Sequence, residues 1–531
     1  MFASLLTLHN LAIFFETLVF VYVSYLSGGL FLRWTKIGLD TKTKNFVYSV
    51  MLGFAIFGFA GFVSALFGVF GPNILRTFFV FVLFLNFKTI LSHIKFLRTA
   101  DFSSVIIFLK NFFKTNPILK VIIFLWLFSI FLIVFVPITG HDTLDYHLPI
   151  IFDIIDQGKL TFSADVNGAY EYLPVFVEII YAVPLAIFGN FSDPFIFQLL
   201  QYSALLLFLL LVCDFLKHRI ENKFLNIVSI FFILSIFDFQ REVMHGGYID
   251  VFLFLFGIAS ALLIIENYSK EPHDNKMLNL SAVFLGFAFA MKYMAFFFAV
   301  INLVFLLAYY IKKRSGYYQF FKRIFVYGLI VFAIGGFWYV KNLVVFDNPV
   351  YPMFSDNNFK SDITFCCIVD RTMGNLFLFP FIRFGQWFLP DQVNESSSQL
   401  VVFGYFTLMY LLMAFRLLVR KKFRTDEILL FFFIQIYLGF LFFISHHTRY
   451  MLPGIIMVPL LLVLLLDEFY NYLKEKLGDG FYRYFMKVTF AVLRLAFIFV
   501  FLANFHYFYV KYNYLIGVYD KTEYINEIGG M

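Results

Sequence analysis

The chain has 531 residues, of which 61% are hydrophobic and only 14% are charged, and its net charge is +7. Soluble domains carry about one quarter charged residues, so this composition excludes a soluble globular protein and predicts a polytopic membrane protein. An excess of Lys and Arg is typical of cytoplasmic loops in such proteins and does not indicate nucleic-acid binding. The 83 Phe residues predict lipid-facing and packing bulk.

Fourteen apolar segments approach the length of about 20 residues that a transmembrane helix needs. They predict an all-α fold with about 14 spans, at residues 5–32, 46–70, 74–92, 118–138, 193–216, 224–239, 248–266, 278–291, 293–311, 324–345, 399–419, 428–445, 449–467 and 486–508. Basic residues cluster in alternating connections, and these connections should be cytoplasmic. Segment 174–190 would break this alternation if it crossed the membrane, so we expect an interfacial or re-entrant helix there.

This topology places the loops 139–192 and 346–398 on the non-cytoplasmic face of the membrane. Unusual polar residues concentrate on that face: His141, His147, His245, His446, His447, Asp142, Asp145, Glu171, Glu242, Asp250, Arg241, Lys292, Arg371, Arg383 and Arg449. Charge at a membrane helix end is expensive to place and usually marks function. We therefore expect an active site on the non-cytoplasmic side of a multi-pass membrane protein.

The strongest candidate site is segment 141–149, which follows the apolar run 121–136. Its Asp142 and Asp145 would share one face of a helix. A carboxylate there can deprotonate a hydroxyl or amine, or can hold a divalent cation. Asp142 could instead cap a helix, and Asp145 could simply be solvated. Tyr146 could belong to an interfacial aromatic belt, and the two histidines are acid–base groups, metal ligands or ordinary hydrogen-bonding residues.

Four more charged residues stand at or near the outer ends of predicted spans. Asp250 begins a span, where it needs a partner or a polar cavity, or is a favourable helix N-terminal carboxylate. Lys292 lies between two apolar runs and could contact a phosphate or snorkel to the interface. Arg449 opens a late span and suits a phosphate or carboxylate. Glu171 is either a ligand or a solvated loop carboxylate.

Short motifs between residues 118 and 470 resemble, in order, those of the GT-C polytopic glycosyltransferases. The branch is that of the protein O-mannosyltransferases and the lipid A aminoarabinose transferase. The motifs are Asp142-x-Leu144-x-Tyr146-His147-Leu148-Pro149, Tyr248-Ile249-Asp250-Val251, Leu285-Gly286-Phe287-Ala288 with Met291-Lys292-Tyr293, Trp338-Tyr339-Val340-Lys341-Asn342 with Asp347-Asn348-Pro349-Val350-Tyr351-Pro352, and Arg449-Tyr450-Met451-Leu452-Pro453. Segment 170–174 is similar to the branch's Tyr-Glu-Lys-Pro segment, but the Lys is missing here.

The resemblance implies a GT-C-like fold and an inverting sugar transfer on the non-cytoplasmic face. The donor would be a polyprenyl-phosphate-linked sugar, and the acceptor a lipid, glycan or protein. Asp142 would be the base or a metal-linked aspartate, with Asp145 as the second catalytic candidate. Substrate and phosphate contacts would come from Tyr146, His147, Lys292, Arg449, Tyr450 and Asp250. The candidate cofactor is a divalent metal ion, with Glu171, His141 and His245 as its ligands, and no nucleic acid partner is expected.

The predicted organisation has three parts. Residues 1–117 form three additional transmembrane helices, residues 118–470 form the GT-C-like catalytic core, and residues 471–531 contain a cytoplasmic loop, the last span and a tail. Two other functions stay open. A transporter or flippase of lipid-linked saccharides would show inverted repeats and polar residues at mid-membrane depth, whereas a glycan ligase or polymerase would share the same outer site.

Overall fold

The computed structural model describes residues 8–99, 116–161, 172–189, 195–244, 246–268, 274–312, 316–351, 353, 371–385, 398–445, 447–507, 509–515 and 518. All regular structure in these ranges is helical. The first half contains α1 (Leu8–Thr35), α2 (Lys42–Leu66), α3 (Pro72–Leu85), α4 (Phe87–Thr99), α5 (Pro117–Ile133), a π-helical turn (Thr143–His147), α6 (Leu148–Gln157), α7 (Phe176–Phe188), α8 (Phe195–Lys217), α9 (Lys223–Leu234) and α10 (Phe237–Met244).

The second half continues with helices of similar length. They are α11 (Asp250–Tyr268), α12 (Asn275–Met291), α13 (Ala295–Lys312), α14 (Tyr317–Gly335), α15 (Phe337–Phe346), α16 (Met373–Gly385), α17 (Ser398–Val419), α18 (Thr425–Ile444), α19 (Thr448–Tyr507) and α20 (Tyr509–Leu515). Helix α19 is broken at Gly478, whose φ of 76° is not helical. Glycine tolerates this left-handed backbone because it has no Cβ.

The number of possible membrane spans is smaller than the sequence predicts. Within the described ranges, ten helices are long and apolar enough to cross a bilayer, or twelve if each of two bent pairs is one span. The bent pairs are α3–α4, at 67°, and α9–α10, at 72°. The all-α, multi-pass membrane architecture is confirmed. The two predicted spans beyond these twelve contain α5 and α12, which are shorter apolar helices.

Helices α5 and α12 have 17 residues each. At 1.5 Å per residue each reaches about 26 Å, which is less than the ~30 Å hydrocarbon core of a bilayer. The apolar run that contains α5 continues to residue 138, but the helix itself ends at Ile133. For α5 the apolar run is therefore longer than the helix, whereas α12 is longer than its predicted segment 278–291.

Helix α7 occupies the segment for which the sequence predicts an interfacial or re-entrant helix. It has 13 residues, and every one from Phe176 to Ile187 is buried. Its neighbours are α2, α3, α6 and α8. A helix that lies on the membrane surface exposes one face, so the enclosed position of α7 agrees with the re-entrant alternative.

The N-terminal helices are part of the same bundle as the rest of the described chain. Helices α1 and α2 meet at glycines: a Cβ at Gly28 would lie 1.9 Å from the Ser49 carbonyl oxygen, and one at Gly53 equally close to that of Ser24. Small residues let membrane helices approach backbone to backbone. Helix α2 then packs on α7 and α8. A boundary at residue 117 stays a prediction.

Helix α11 lies at the centre of the bundle, and its residues from Asp250 to Asn267 are all buried. It packs against α8, α12, α13 and α18. A buried carboxylate stands near each of its ends, Asp250 and Glu266, about 24 Å apart along the helix. Each carboxylate belongs to a group of charges. We name the two clusters after the predicted topology. The outer cluster is Asp142, Glu242, Asp250, Lys292 and Arg449, and the inner cluster is Lys44, Asp214, Arg219, Glu266 and Asp426.

Candidate active site

The outer cluster is built from the ends of five different elements. Asp142 directly precedes the π-helical turn, and Glu242 lies near the end of α10. Asp250 begins α11, Lys292 follows α12, and Arg449 lies in the first turn of α19. Because the helices run antiparallel, residues far apart in sequence meet at one end of the bundle. A π-helical turn is rare and often found at functional sites.

Arg449 is the centre of this cluster. Its Nε and Nη2 donate hydrogen bonds to Asp250 Oδ2 at 2.8 and 2.5 Å, and its Nη1 donates to Asp142 Oδ2. Its Nε also lies 3.2 Å from Glu242 Oε2. The Cζ atom stands 4.1 Å from the centroid of the Tyr248 ring, a cation–π contact. The planar guanidinium thus hydrogen-bonds two carboxylates in fixed directions and forms an ion pair with a third, that of Glu242.

Lys292 is the second cation of the cluster and the more accessible one. Its Nζ donates to Asp250 Oδ1 at 2.8 Å and lies 5.3 Å from the centroid of the Tyr450 ring. Its side chain is 21% exposed, whereas that of Arg449 is 9% exposed. Three carboxylates face these two cations. The cluster therefore carries an excess negative charge when all its members are ionised.

Asp142 is the accessible carboxylate of the cluster, with a side chain that is 33% exposed. Burial raises the pKa of its carboxyl, but the Arg449 guanidinium more than offsets this, and the pKa lies below its ordinary value. Asp142 is therefore ionised at neutral pH. The Tyr146 hydroxyl donates to Asp142 Oδ2 at 3.4 Å, and burial raises the pKa of this phenol, so it stays protonated.

Two glycines hold the segment of Asp142 against the start of α11. Gly246 and Gly247 have φ values of 70° and 82°, a left-handed backbone that favours glycine. The Thr143 hydroxyl donates to the Gly246 carbonyl at 2.6 Å. A Cβ at Gly247 would lie 2.2 Å from Thr143 Cγ2, so no larger residue fits there. The Gly-Gly pair in the sequence is the signal for this close contact.

His147 forms a second polar pair at the end of the π-helical turn. Its Nδ1 lies 2.6 Å from Glu178 Oε1 on α7, and both side chains are almost fully buried. The other polar atoms of the pair, His147 Nε2 and Glu178 Oε2, have no hydrogen-bond partner. The sequence predicts a substrate contact for His147 but no role for Glu178. Glu178 lies 31 positions after His147 in the chain. No local sequence pattern predicts a pairing at that separation.

The structure brings together four of the predicted site residues, Asp142, Asp250, Lys292 and Arg449, with Tyr146 and Tyr450 against them. Asp145 and His141 are exposed. Of the three predicted metal ligands, Glu171 and His245 lie outside the described residues. Within the described part of the chain, no group of three or more His, Cys, Asp or Glu side chains could hold a metal ion. The metal site stays a prediction.

One member of the cluster was not predicted as a site residue. From the sequence, Glu242 and the neighbouring Arg241 could be no more than an exposed pair. In the structure Glu242 is 1% exposed and forms an ion pair with Arg449. The 72° bend between α9 and α10 directs the chain so that Glu242 reaches the bundle interior. A bend inside an apolar run has no clear sequence signal, so this burial could not be predicted.

Sequence comparison gives one family match. Residues 184–365 match a model described as a domain of unknown function, DUF8201. The matched region contains Asp250 and Lys292 but neither Asp142 nor Arg449, so it covers only part of the outer cluster. A search of curated proteins finds no match to the chain.

Structure comparison finds ArnT from Cupriavidus metallidurans in two crystal structures. With the one bound to undecaprenyl phosphate, the TM-score is 0.45 at 15% identity over 66% of this chain. With the apo state, it is 0.44 at 16% identity over 65% of this chain. The alignment covers 59% of the ArnT chain in both cases. ArnT belongs to the branch that the sequence motifs resemble, but with TM-scores below 0.5 the overlap carries no argument about activity.

Proposed function

We propose that this protein is a membrane glycosyltransferase that uses a polyprenyl-phosphate-linked sugar as donor. The observation that carries the proposal is the geometry of the outer cluster. An accessible carboxylate, Asp142, and an accessible cation, Lys292, are both tied to the buried pair of Asp250 and Arg449. A base for the acceptor and a cation for the leaving phosphate are the groups that such a transfer needs.

In the proposed reaction, Asp142 is the base. The acceptor hydroxyl or amine attacks the anomeric carbon of the donor sugar, and its proton passes to the Asp142 carboxylate. The bond between the anomeric carbon and the phosphate oxygen breaks, and its electron pair stays on the phosphate. Attack from the face opposite the phosphate inverts the anomeric configuration.

Lys292 is proposed as the first phosphate contact because it is the more exposed cation and has one carboxylate partner, Asp250. Arg449 has a second role in the proposal. Its ion pair lowers the pKa of Asp142 and so weakens this carboxylate as a base. If Nη1 turned from Asp142 to the leaving phosphate oxygen, the carboxylate would become a stronger base as negative charge develops on the phosphate. Arg449 would then couple proton transfer to bond cleavage.

A divalent metal ion stays part of the proposal only as a candidate. It would offset the negative charge of the donor phosphate. The proposed ligands are still Glu171, His141 and His245. Because the described residues offer no complete ligand set, no step above passes through a metal.

The transporter alternative predicts polar groups along a path at mid-membrane depth. Midway along α11, Ser260 belongs to a buried polar group with Ser281, Asn302 and Tyr327, whose members bond to one another. These contacts join four helices, as a structural network does. They do not by themselves indicate a transport path. A glycan ligase or polymerase would use the outer cluster in the same way and differs only in its product.

The proposal is tested with the full-length protein in nanodiscs. The substrates are a panel of undecaprenyl-phosphate sugars, with extracted envelope lipids and glycans as acceptors. Mass spectrometry of released undecaprenyl phosphate measures turnover for every donor, because this product is common to all. We expect Asp142→Asn to reduce release by about a thousandfold without loss of folded protein.

The matched control is Asp156→Asn, which removes an exposed carboxylate from the adjacent helix α6 and should leave release unchanged. Asp145→Asn tests which of the two predicted catalytic carboxylates is the base. Its effect on release should be far smaller than that of Asp142→Asn. Wild-type release rates in folded Asp142→Asn would exclude Asp142 as the base. A wild-type protein that releases no undecaprenyl phosphate from any donor, in the presence of all acceptors, would contradict the transferase itself.

A further inference from the structure

A cavity of about 420 Å³ lies between α1, α2 and α4. It is near the inner cluster, because its lining residue Asn45 directly follows Lys44, which pairs with Glu266 at the far end of α11 from the candidate active site. Its polar lining consists of two cations and uncharged hydrogen-bonding groups, and no carboxylate lines it. The lining includes Gly29, Arg33, Lys36 and Ser49.

The bend between α3 and α4 gives this cavity its shape. Asn86 stands at the bend and is 1% exposed, and its Nδ2 donates to the Val82 carbonyl at 3.0 Å. Its Oδ1 accepts a hydrogen bond from Arg33 Nη2 at 2.9 Å. One edge of the guanidinium is thereby fixed to protein, while Nη1 lies on the cavity side of Gly29.

Two polar groups converge over Gly29. The point at which a Gly29 Cβ would stand is 3.6 Å from Arg33 Nη1 and 3.6 Å from Ser49 Oγ. Ser49 is 0% exposed and its hydroxyl has no hydrogen-bond partner. A buried hydroxyl without a partner is unfavourable, and such groups are rare in native structures. A ligand in the cavity that accepts its hydrogen bond would account for it.

Cations at a helix C-terminus can stabilise the helix dipole without any ligand. That explanation covers the positions of Arg33 and Lys36 at the end of α1, but not the cavity or the buried hydroxyl. The nearby inner cluster shows the contrast, because there Lys44 lies 2.8 Å from Glu266. Among the described residues, neither Arg33 nor Lys36 forms an ion pair with a carboxylate.

We propose that this cavity binds a phosphate-bearing anion through Arg33, Lys36 and the Ser49 hydroxyl. Arginine and lysine with a hydroxyl donor are the common protein ligands of phosphate. The phosphate belongs either to an anionic lipid headgroup or to a soluble molecule. Trp34, which is 69% exposed beside Arg33, is the type of residue found at membrane interfaces. The cavity would then lie at headgroup depth.

Binding to the full-length protein is measured in two arms. Native mass spectrometry of protein released from nanodiscs tests phosphatidylglycerol against diacylglycerol, which lacks the phosphate. Calorimetry in detergent tests inorganic phosphate. We expect the combined Arg33→Gln and Lys36→Gln variant to bind roughly a hundredfold more weakly, because it loses two charge-assisted contacts.

A matched glycine pair tests the cavity without a change of charge. A Cβ at Gly29 meets its neighbours at ordinary contact distance, so Gly29→Ala should bind as the wild type does. The longer side chain of Gly29→Leu extends into the cavity and should abolish binding. The combined Lys95→Gln and Arg98→Gln variant, which removes two exposed cations of α4 outside the lining, should have no effect. Thermal unfolding confirms that each variant is folded.

The two arms distinguish the sources of the phosphate. Lipid binding that depends on Arg33, Lys36 and an open space at Gly29 assigns a headgroup site. The same dependence for inorganic phosphate alone assigns a site for a soluble phosphate compound. Wild-type binding in the folded Arg33/Lys36 and Gly29→Leu variants, or no binding in either arm, overturns the proposal. The outer cluster and its proposed reaction are independent of this result.

Discussion

The two ends of α11 both contain buried charge, but the protein holds that charge in different ways. At the inner end, Lys44 pairs with Glu266 and Arg219 pairs with Asp426, at 2.8 and 3.3 Å. Backbone groups add further bonds there, as where Arg424 Nη1 donates to the Arg219 carbonyl at 2.7 Å. At the outer end, the single guanidinium of Arg449 holds three carboxylates. The inner charges bind helix to helix, whereas the outer charges converge on one point.

Access to solvent separates the two clusters, whereas their formal charge does not, because each contains two cations and three carboxylates. Lys44 and Glu266 are each 5% exposed, whereas Asp142 and Lys292 are 33% and 21% exposed. Buried ion pairs occur in structural networks as well as in active sites, so burial alone does not identify a site. An accessible carboxylate and an accessible cation, tied to the same buried groups, are the better indication of chemistry.

The largest expected effect comes from the centre of the outer cluster. Arg449→Gln removes the cation that Asp250 and Glu242 share and leaves their buried carboxylates poorly paired. We expect a loss of about 3–5 kcal/mol in stability together with the loss of transfer. Thermal unfolding and undecaprenyl phosphate release measure the two effects. Arg449→Lys should recover part of the stability and little of the transfer, since an ammonium cannot replace the planar guanidinium. An unchanged unfolding temperature in Arg449→Gln would contradict the central role of Arg449.

The second prediction separates the clusters by changing only the inner one. Lys44→Met leaves Glu266 without its closest cation and should cost about 3 kcal/mol in stability. Release of undecaprenyl phosphate per folded molecule should stay at the wild-type rate, because the outer cluster is about 24 Å away along α11. The control is Lys42→Met, which removes an exposed lysine two residues earlier. A loss of transfer in folded Lys44→Met would show that the inner cluster is more than structural.

The smallest expected effect is a pH dependence at Asp142. The folded protein lowers the pKa of this carboxyl. Its ion pair therefore contributes stability that is fully present above the unfolded pKa of about 3.9 and is lost as the pH falls through the lowered pKa. The pair is partly exposed, so the contribution should be about 1 kcal/mol or less.

Thermal unfolding of wild type and Asp142→Asn between about pH 3 and pH 7 measures this contribution. The difference between the two proteins should be constant above about pH 5 and should shrink at the acidic end. A difference that grows as the pH falls would mean that Asp142 is stabilised in its protonated form. It would also contradict its role as an ionised partner of Arg449.

The main features of the fold and the centre of the site could be predicted from the sequence. Apolar segments and alternating basic loops are sufficient to predict that Asp142, Asp250, Lys292 and Arg449 stand at the same end of the bundle. Residues at the same level in a bundle of antiparallel helices can meet, and these do. The division into three domains was not tested and stays a prediction.

The features that could not be predicted depend on where helices bend or end. Glu242 appears solvated in the sequence and becomes buried because α9 and α10 meet at 72°. Glu178 belongs to a helix that the bundle encloses, and its pairing with His147 is set by packing. The cavity beside Gly29 depends on the bend at Asn86. None of these bends follows from hydrophobic composition.

The most direct test of the central claim is an experimental structure of the full-length protein with undecaprenyl phosphate bound. We predict that the phosphate lies within hydrogen-bond distance of Lys292 Nζ, with Asp142 and Arg449 beside it. A phosphate bound far from Asp142, Lys292 and Arg449, including one found only in the cavity between α1, α2 and α4, would contradict the assignment of the outer cluster as the active site.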